Sequence, residues 1–144
     1  MFRQMSQQTI VLISCVKQKL GSPAPARALY MSSLFRKSLR YAESLYPDVI
    51  YVLSAKHGLL SLEEVVEPYD LTLNQLGMHE VKHWAERTVE QLKQVADLAS
   101  DRFIFLASER YRKFIVPRVV YSEIPLQGLS IGKQLQFLKA AINE

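Results

Sequence analysis

The chain of 144 residues contains one cysteine, Cys15. A single thiol can form neither an internal disulfide nor a cysteine-based zinc site, so the fold must rest on packing, as is typical of the reducing cytoplasm. The sequence also lacks a long apolar run, since the N-terminal run at 10–13 is too short for a signal peptide or a membrane span. These absences predict a cytoplasmic protein with no membrane partner.

Acidic residues are missing from residues 1–42, which hold seven Lys and Arg, whereas residues 43–101 hold eleven acidic and four basic residues. The basic segment indicates a positive surface that attracts phosphate, near Lys17, Lys19 and Arg27 in a predicted loop. Three other basic residues are interpreted as the solvated face of a helix: Arg36, Lys37 and Arg40.

The composition is that of an ordinary globular protein, with 49% hydrophobic and 22% charged residues, and the length suits one domain over residues 1–144. Strands and helices alternate along the sequence. Strands are predicted at 9–14, 49–53, 102–106 and 116–122. Helices are predicted from Ser32 or Ser33 to about 46, at 79–98, 108–115 and 131–142, and 54–77 is expected to be mostly irregular. The pattern predicts a single three-layer α/β domain with a mostly parallel central sheet of about four strands flanked by helices.

A hydroxyl residue stands at or just after the end of each of the first three predicted strands. These residues are Ser14, Ser54 and Ser108. Ligands of parallel sheets bind at the carboxyl ends of the strands, so we expect the three loops to converge on one pocket, together with Lys17 and Lys56.

The sharpest local cluster is Ser54-Ala-Lys-His-Gly58. Lys56 and His57 can bind phosphate or move a proton, and Gly58 permits a left-handed turn. The alternative is an ordinary loop. The turn at 67–70 offers Tyr69 and Asp70 for recognition of a base edge or ribose, or for general base catalysis, unless Asp70 only caps local backbone amides.

Two weaker signals flank these clusters. Cys15 follows the first strand close to Lys17, which favours a reactive thiolate, although a lone cysteine is also a common small core residue. Gly128 and Gly132 precede the last helix, where glycines can cradle an anion or simply form a tight turn.

The segment His79-Glu-Val-Lys-His83 matches the H-E-x-x-H zinc signature. A zinc site needs a third ligand, and no His lies downstream; only acids such as Asp97 or Asp101 remain. We therefore predict no metal and no cofactor, with a zinc hydrolase as a third hypothesis.

Several segments, in order, resemble the YaaA family of peroxide-stress proteins. Val52-Leu-Ser-Ala-Lys-His-Gly-Leu-Leu60 and Val66-Glu-Pro-Tyr-Asp-Leu71 look like its L-S-x-x-Y-G-L-L and I-x-P-Y-x-L segments, and Ala107-Ser-Glu-Arg-Tyr111 like its A-S-x-E-Y segment. The segments Ile13-Ser-Cys-Val-Lys17, Ala26-Arg-Ala-Leu-Tyr30, Leu34-Phe35 and Pro125-Leu-Gln-Gly128 are similar to a smaller group of uncharacterised bacterial and phage YaaA-like proteins.

The resemblance implies a cytoplasmic stress-response protein related to DNA-binding proteins, and the opening segment is similar to a domain of archaeal tRNA deazaguanine-modifying enzymes. This chain is shorter than YaaA and has His57 where the family tends to have Tyr. Both departures argue against duplex DNA binding more than they argue against a central pocket.

Taken together, these features predict a protein that binds a nucleotide, nucleobase or nucleic acid at the carboxyl ends of the strands. Base-directed chemistry, such as N-glycosidic cleavage, would use Asp70 or His57 as acid or base and Lys56 as charge stabiliser. The ligand-binding candidates are Ser14, Cys15, Lys17, Arg27, Tyr30, Ser54, Gly58, Tyr69, Ser108, Gly128 and Gly132. The alternative is a non-catalytic DNA-binding stress-response protein.

Overall fold

A computed structural model describes residues 7–16 and 19–143 of the chain. Its strands are β1 (Thr9–Ser14), β2 (Ala24–Pro25), β3 (Val49–Ser54), β4 (Gly58–Ser61), β5 (Val65–Val66), β6 (Arg102–Leu106) and β7 (Tyr121–Glu123). Its α-helices are α1 (Ala26–Leu29), α2 (Ser33–Ser44), α3 (Met78–Lys93), α4 (Glu109–Arg112) and α5 (Ile131–Ala141). Two 3₁₀ turns lie at Leu73–Gln75 and Val116–Arg118.

The central sheet has five strands in the order β4-β3-β1-β6-β7, flanked by helices, which confirms the predicted α/β fold. Strand β1 pairs in parallel with β3 on one side and β6 on the other, β7 is parallel to β6, and β4 is antiparallel to β3. A separate two-stranded pair joins β2 to β5.

Strand β1 is the centre of the core because its apolar run is covered on both faces. Ile10, Val11, Leu12 and Ile13 are each at most 1% exposed. The start of the strand is anchored by the carboxylate of Asp101, which accepts hydrogen bonds from the amides of Gln8 and Asp97 at 2.9 and 2.8 Å. Parallel pairing on both sides explains why the sequence shows a continuous rather than an alternating apolar pattern.

The chain reverses direction across the sheet at β1. The connection from β1 leads to β3 on one side, whereas the connection from β6 leads to β7 on the other. Helix α2 lies in the connection from β1 to β3, and α3 lies in the connection from β3 through β4 to β6, which runs the other way. Right-handed crossovers therefore place the two helices on opposite faces. The helix contacts agree with this, because α2 packs on α5 and α3 packs on α4. A crevice is expected where the loops after β1 and β6 diverge.

Two segments differ from the sequence prediction. Residues 54–77, predicted to be mostly irregular, contain β4, β5 and a 3₁₀ turn, because the chain forms a tight hairpin after β3. Residues 116–122, predicted as a strand, begin with a 3₁₀ turn that contains Pro117, and only Tyr121–Glu123 pairs with β6. Proline lacks the amide that a ladder requires.

Helix α2 ends earlier than the apolar spacing predicts. The apolar spacing of Phe35, Leu39 and Ala42 continues to Tyr46, which predicts a helix that carries Tyr46 on its core side. The helix instead ends at Ser44, and Tyr46 is 92% exposed at φ 50°. Within residues 7–16 and 19–143, no helix is both long enough and apolar enough to span a membrane.

Gly58 allows the hairpin between β3 and β4 to turn tightly against α3. Its φ is +76°, and a Cβ placed there would lie 2.0 Å from Gln91 Oε1. That oxygen accepts a hydrogen bond from the Leu59 amide at 2.9 Å, and Gln91 Nε2 donates to the His57 carbonyl at 3.1 Å. Gly128 has a similar φ of +79° but open space around it.

We expect Gly58→Ala to destabilise the protein more than Gly128→Ala. Both variants incur the left-handed penalty of about 1–2 kcal/mol. Only Gly58→Ala also displaces Gln91 and its two hydrogen bonds, for a further loss of about 1–2 kcal/mol. Urea unfolding of both variants tests this, and equal losses would show that the contact with Gln91 contributes nothing.

Candidate functional site

A cavity of about 290 Å³ lies at the carboxyl ends of β1 and β6. Its walls come from both strand ends, from α2 and from the start of α5. The apolar part of the wall includes Ile13, Val16, Leu34, Phe35, Leu106, Leu126 and Leu129. The polar residues that line it are Ser14, Ser38, Ser108, Glu109, Arg112 and Gln134. The cavity therefore occupies the crevice at which the strand order reverses.

Ser38 is the unusual member of this set. It is 2% exposed, it lies on the core side of α2, and its side chain makes no hydrogen bond to a described residue. No fully inaccessible side-chain oxygen or nitrogen of the described residues lacks a partner. The small accessible part of Ser38 must therefore include its hydroxyl. Because Ser38 borders the cavity, this hydroxyl is accessible from the cavity.

Ser14 and Ser108 join the two strand ends across the crevice. The Ser108 amide donates to Ser14 Oγ at 3.2 Å, which leaves the Ser14 hydroxyl proton without an acceptor among the described residues. Arg112 Nη1 donates to the Ala107 carbonyl at 2.9 Å. Gln134 Nε2 donates to the Leu129 carbonyl at 2.9 Å, so its Oε1 remains available. The cavity thus presents both donors and acceptors between apolar walls.

A second group of polar residues, the hydroxyl network, lies at the same sheet edge and is buried. The Tyr69 hydroxyl is 2.6 Å from both the Tyr30 hydroxyl and Ser54 Oγ. Ser54 Oγ also accepts from the His57 amide at 3.1 Å, and the Ser54 carbonyl accepts from Trp84 Nε1 at 2.8 Å. The network ties the loop after β3 to the turn at 67–70, to α1 and to α3.

Burial keeps the phenols of this network protonated. Burial raises the pKa of Tyr30 to about 12, against the opposing hydrogen bond from Tyr69. Burial also raises the pKa of Tyr69 well above its usual range. All three hydroxyls are therefore neutral at physiological pH and serve as both donors and acceptors.

Cys15 belongs to this buried side rather than to the cavity. Its thiol is 4% exposed and lies 3.2 Å from the Tyr111 hydroxyl, which also accepts from the Leu73 amide at 3.2 Å. Consecutive residues at a strand end face opposite sides of a sheet. Ser14 therefore borders the cavity, while Cys15 packs among the tyrosines.

The structure places the other predicted site residues in several locations. Lys56, His57 and Gly58 line a surface pocket against α3 and do not border the cavity. Asp70 is exposed and makes no hydrogen bond or ion pair to a described residue. Arg27 is exposed and pairs with Glu63 and Glu43 at 2.6 and 3.4 Å.

The remaining candidates lie near the cavity or outside the described residues. Gly128 lines the cavity, whereas Gly132 lies in α5, next to the lining residue Ile131. Lys19 Nζ lies 4.4 Å from the ring centre of Tyr69. Lys17 lies outside the described residues. The cavity thus brings together Ser14, Ser108 and Gly128, while Ser54, Tyr30 and Tyr69 meet in the hydroxyl network.

The H-E-x-x-H segment lies on the exposed part of α3. The rings of His79 and His83 are 4.6 Å apart between their centres, and Glu80 accepts a hydrogen bond from the Gly77 amide at 3.4 Å. In the part of the chain that the structure describes, no group of three or more His, Cys, Asp or Glu is placed to hold a metal ion.

Sequence reasoning missed Ser38, Arg112 and Gln134. The signal for Ser38 was present, because it lies three residues after Phe35 on the apolar stripe of α2, where a serine is out of place. Arg112 and Gln134 carried no comparable signal, because both follow ordinary helical spacing and only the fold brings them to the cavity.

Comparison with known sequences identifies one family. The model of a family of unknown function (DUF6884) matches residues 10–140, which span β1 to α5. A search of curated proteins finds no match to the chain.

We expect Tyr69→Phe to destabilise the protein by about 1–3 kcal/mol, because Tyr30 and Ser54 lose a buried partner. Tyr121→Phe removes a hydroxyl from a tyrosine that is 51% exposed on β7 and is expected to change stability by less than about 0.5 kcal/mol. Urea unfolding of both variants measures the difference. Equal stabilities would refute a structural role for the network.

Proposed function

This chain belongs to DUF6884, a family of unknown function, and we propose that it binds a nucleobase or the nucleoside part of a nucleotide in the cavity between β1 and β6. The observation that carries the proposal is the unpartnered hydroxyl of Ser38 at the wall of this cavity. A hydroxyl at a cavity wall that makes no hydrogen bond to a described residue is left for a group inside the cavity to complete. A polar atom of a bound ligand would do so.

The size and lining of the cavity favour a small flat heterocycle. A volume of about 290 Å³ is at the lower end of ligand pockets, which suits a base or nucleoside better than a larger ligand. Phe35 and the leucines offer apolar surface for the faces of a ring. Ser14, Ser38 and Gln134 offer hydrogen bonds for its edge, which is how proteins read an unstacked base.

The geometry favours binding over the base-directed chemistry predicted from the sequence. Asp70, His57 and Lys56, the candidate catalytic residues, do not border the cavity. Glu109 is the one carboxylate among the described lining residues. A cytoplasmic, YaaA-like role in stress response would suit a nucleotide-binding protein whose lone thiol is buried, and it remains part of the proposal.

We expect Ser38→Ala to weaken nucleoside binding by about 2- to 10-fold, the cost of one hydrogen bond, and Ser38→Leu to abolish it by filling the cavity. Ser44→Ala, exposed at the end of the same helix, is the matched control and is expected to bind normally. Calorimetry with the four ribonucleosides and their monophosphates measures these affinities.

The same substitution has an opposite effect on the ligand-free protein. Ser38→Ala removes an unpartnered hydroxyl and improves helix propensity. The free energy of unfolding is therefore expected to rise by about 0.5 kcal/mol. The proposal fails if no nucleoside or nucleotide binds at millimolar concentration, or if Ser38→Leu binds as the wild type does.

One observation favours the alternative of a non-catalytic nucleic-acid-binding protein. A shallow groove of about 450 Å³ on α2 is lined by Met31, Ser33, Arg36, Lys37 and Arg40, with no acidic residue among the described lining residues. A groove with this charge suits a phosphate backbone.

For this alternative we expect the logarithm of the affinity for single-stranded nucleic acid to fall linearly with the logarithm of salt concentration, with a slope of about −0.7 for each phosphate contacted. Arg36→Gln is expected to reduce the slope, and Arg118→Gln, an exposed arginine on a 3₁₀ turn, to leave it unchanged. Fluorescence anisotropy at several salt concentrations is the measurement. An affinity that stays constant with salt would exclude the groove as a backbone site.

A further inference from the structure

The loop after β3 forms a second pocket, separate from the cavity, against α3. Its volume is about 280 Å³, and it is lined by Lys56, His57, Gly58, Trp84, Arg87, Thr88 and Gln91. Hereafter it is called the β3–α3 pocket. Neither Ser38 nor any other lining residue of the cavity takes part in it.

The charge of the β3–α3 pocket is of one sign. Lys56 and Arg87 come from two different elements, and neither makes an ion pair or hydrogen bond to a described residue. No aspartate or glutamate is among the described lining residues. Two other arginines of the protein, the exposed Arg27 and the half-buried Arg102, are paired with glutamates.

The positive charge of this pocket contrasts with the net negative charge of the chain segment that forms it. Residues 43–101, which supply the whole pocket, hold eleven acidic and four basic residues. Two of those four basic residues, Lys56 and Arg87, line the same pocket. Like charges that share a concave surface repel each other, and the repulsion is relieved when an anion enters.

The pocket is also rigid. Gln91 bonds to the backbone on both sides of Gly58, through the Leu59 amide at 2.9 Å and the His57 carbonyl at 3.1 Å. Trp84 Nε1 holds the Ser54 carbonyl at 2.8 Å. The hairpin is thus tied to α3 at three points, which fixes the loop that carries Lys56 relative to the helix that carries Arg87. A preorganised pair of cations binds an anion without the cost of ordering the loop.

We propose that the β3–α3 pocket binds a dianionic phosphate group, either inorganic phosphate or a phosphate monoester, between Lys56 and Arg87. The guanidinium of Arg87 offers two parallel N–H donors to phosphate oxygens, and the ammonium of Lys56 adds a point charge. The proposal stands independently of ligand binding in the cavity, because the two sites share no described lining residue.

The pKa of His57 can be used to detect an anion bound in the β3–α3 pocket. Partial burial and the neighbouring Lys56 lower the pKa of His57, while Glu64 opposes them. The groups that face it are Lys56 on its own loop, Glu64 from the segment before β5, the ring of Tyr69 at 5.5 Å between centres, and Arg87 across the pocket. A bound dianion stabilises the imidazolium form and raises the pKa of this residue.

We expect inorganic phosphate to raise the pKa of His57 by about half a pH unit or more, relative to potassium chloride of equal ionic strength. NMR titration of the full chain measures this, and His79 and His83 on the exposed part of α3 serve as internal controls. The double variant Lys56→Gln, Arg87→Gln is expected to abolish the phosphate effect. The matched control Lys82→Gln, Arg118→Gln removes the same charges outside the pocket and is expected to retain it.

A second arm separates the two sources of phosphate. If a nucleoside monophosphate shifts His57 at a lower concentration than inorganic phosphate does, the pocket accepts monoesters; if only inorganic phosphate acts, it binds the free anion. The proposal is overturned if neither moves His57, or if the double variant responds as the control does. The Ser38→Leu variant is expected to keep the phosphate response, so failure of the nucleoside site leaves this test intact.

Discussion

The position of β1 between two parallel neighbours is the constraint on which the rest of the structure depends. A strand with parallel partners on both sides uses all of its backbone groups in the sheet, and helices must cover both of its faces. The connection that leaves β1 toward β3 and the one that leaves β6 toward β7 must then diverge. The cavity occupies the gap that this divergence leaves, and Phe35 and Ser38 of α2 form one of its walls.

The same strand end separates the polar residues into two groups with different hydrogen-bonding states. Ser14 borders the cavity, and Cys15, one residue later, packs beside Tyr111. On the Cys15 side, Tyr69 is bonded to both Tyr30 and Ser54, as a structural network requires. On the Ser14 side, Ser14 Oγ accepts from the Ser108 amide, and the Ser38 hydroxyl at the cavity wall makes no hydrogen bond to a described residue. Satisfied polar groups stabilise a fold, whereas unsatisfied ones lining a cavity indicate a place for a ligand.

Much of the architecture followed from local sequence patterns. The apolar run of β1, the strand Arg102–Leu106 and the amphipathic helices α2, α3 and α5 could be predicted because each is specified by its own periodicity. Strand β4 could not be predicted, because Gly58 is typical of a loop. The hairpin that contains β4 depends on hydrogen bonds from Gln91 of α3, which lies far away in the sequence. The strand predicted at 116–122 was mostly wrong, because β-branched valines flank Pro117 and the proline decides the local structure.

The grouping of the site residues could not be predicted, since it depends on which sheet face each residue occupies. The expectation of one pocket rested on the shared edge of parallel strands, which Ser14 and Ser108 do share. Ser54 reaches the same edge, but its side chain is bonded to Tyr69 and the His57 amide, and it is 0% exposed. A single sequence shows where strands end, but it does not show to which side the last residue points.

The motif segments singled out in the sequence contribute to both groups of residues. Ser54, Tyr69 and Tyr111 all lie within them, and all three are buried and hydrogen-bonded to fold the loops at the sheet edge. Ser38, Arg112 and Gln134, which line the cavity, lie outside every one of those segments. The buried residues of these segments account for the way the loops are held, whereas Ser14 and Phe35 from the same segments line the cavity together with Ser38, Arg112 and Gln134. The strand ends set the position of the cavity, and the helices that cover the sheet add the side chains that complete its wall.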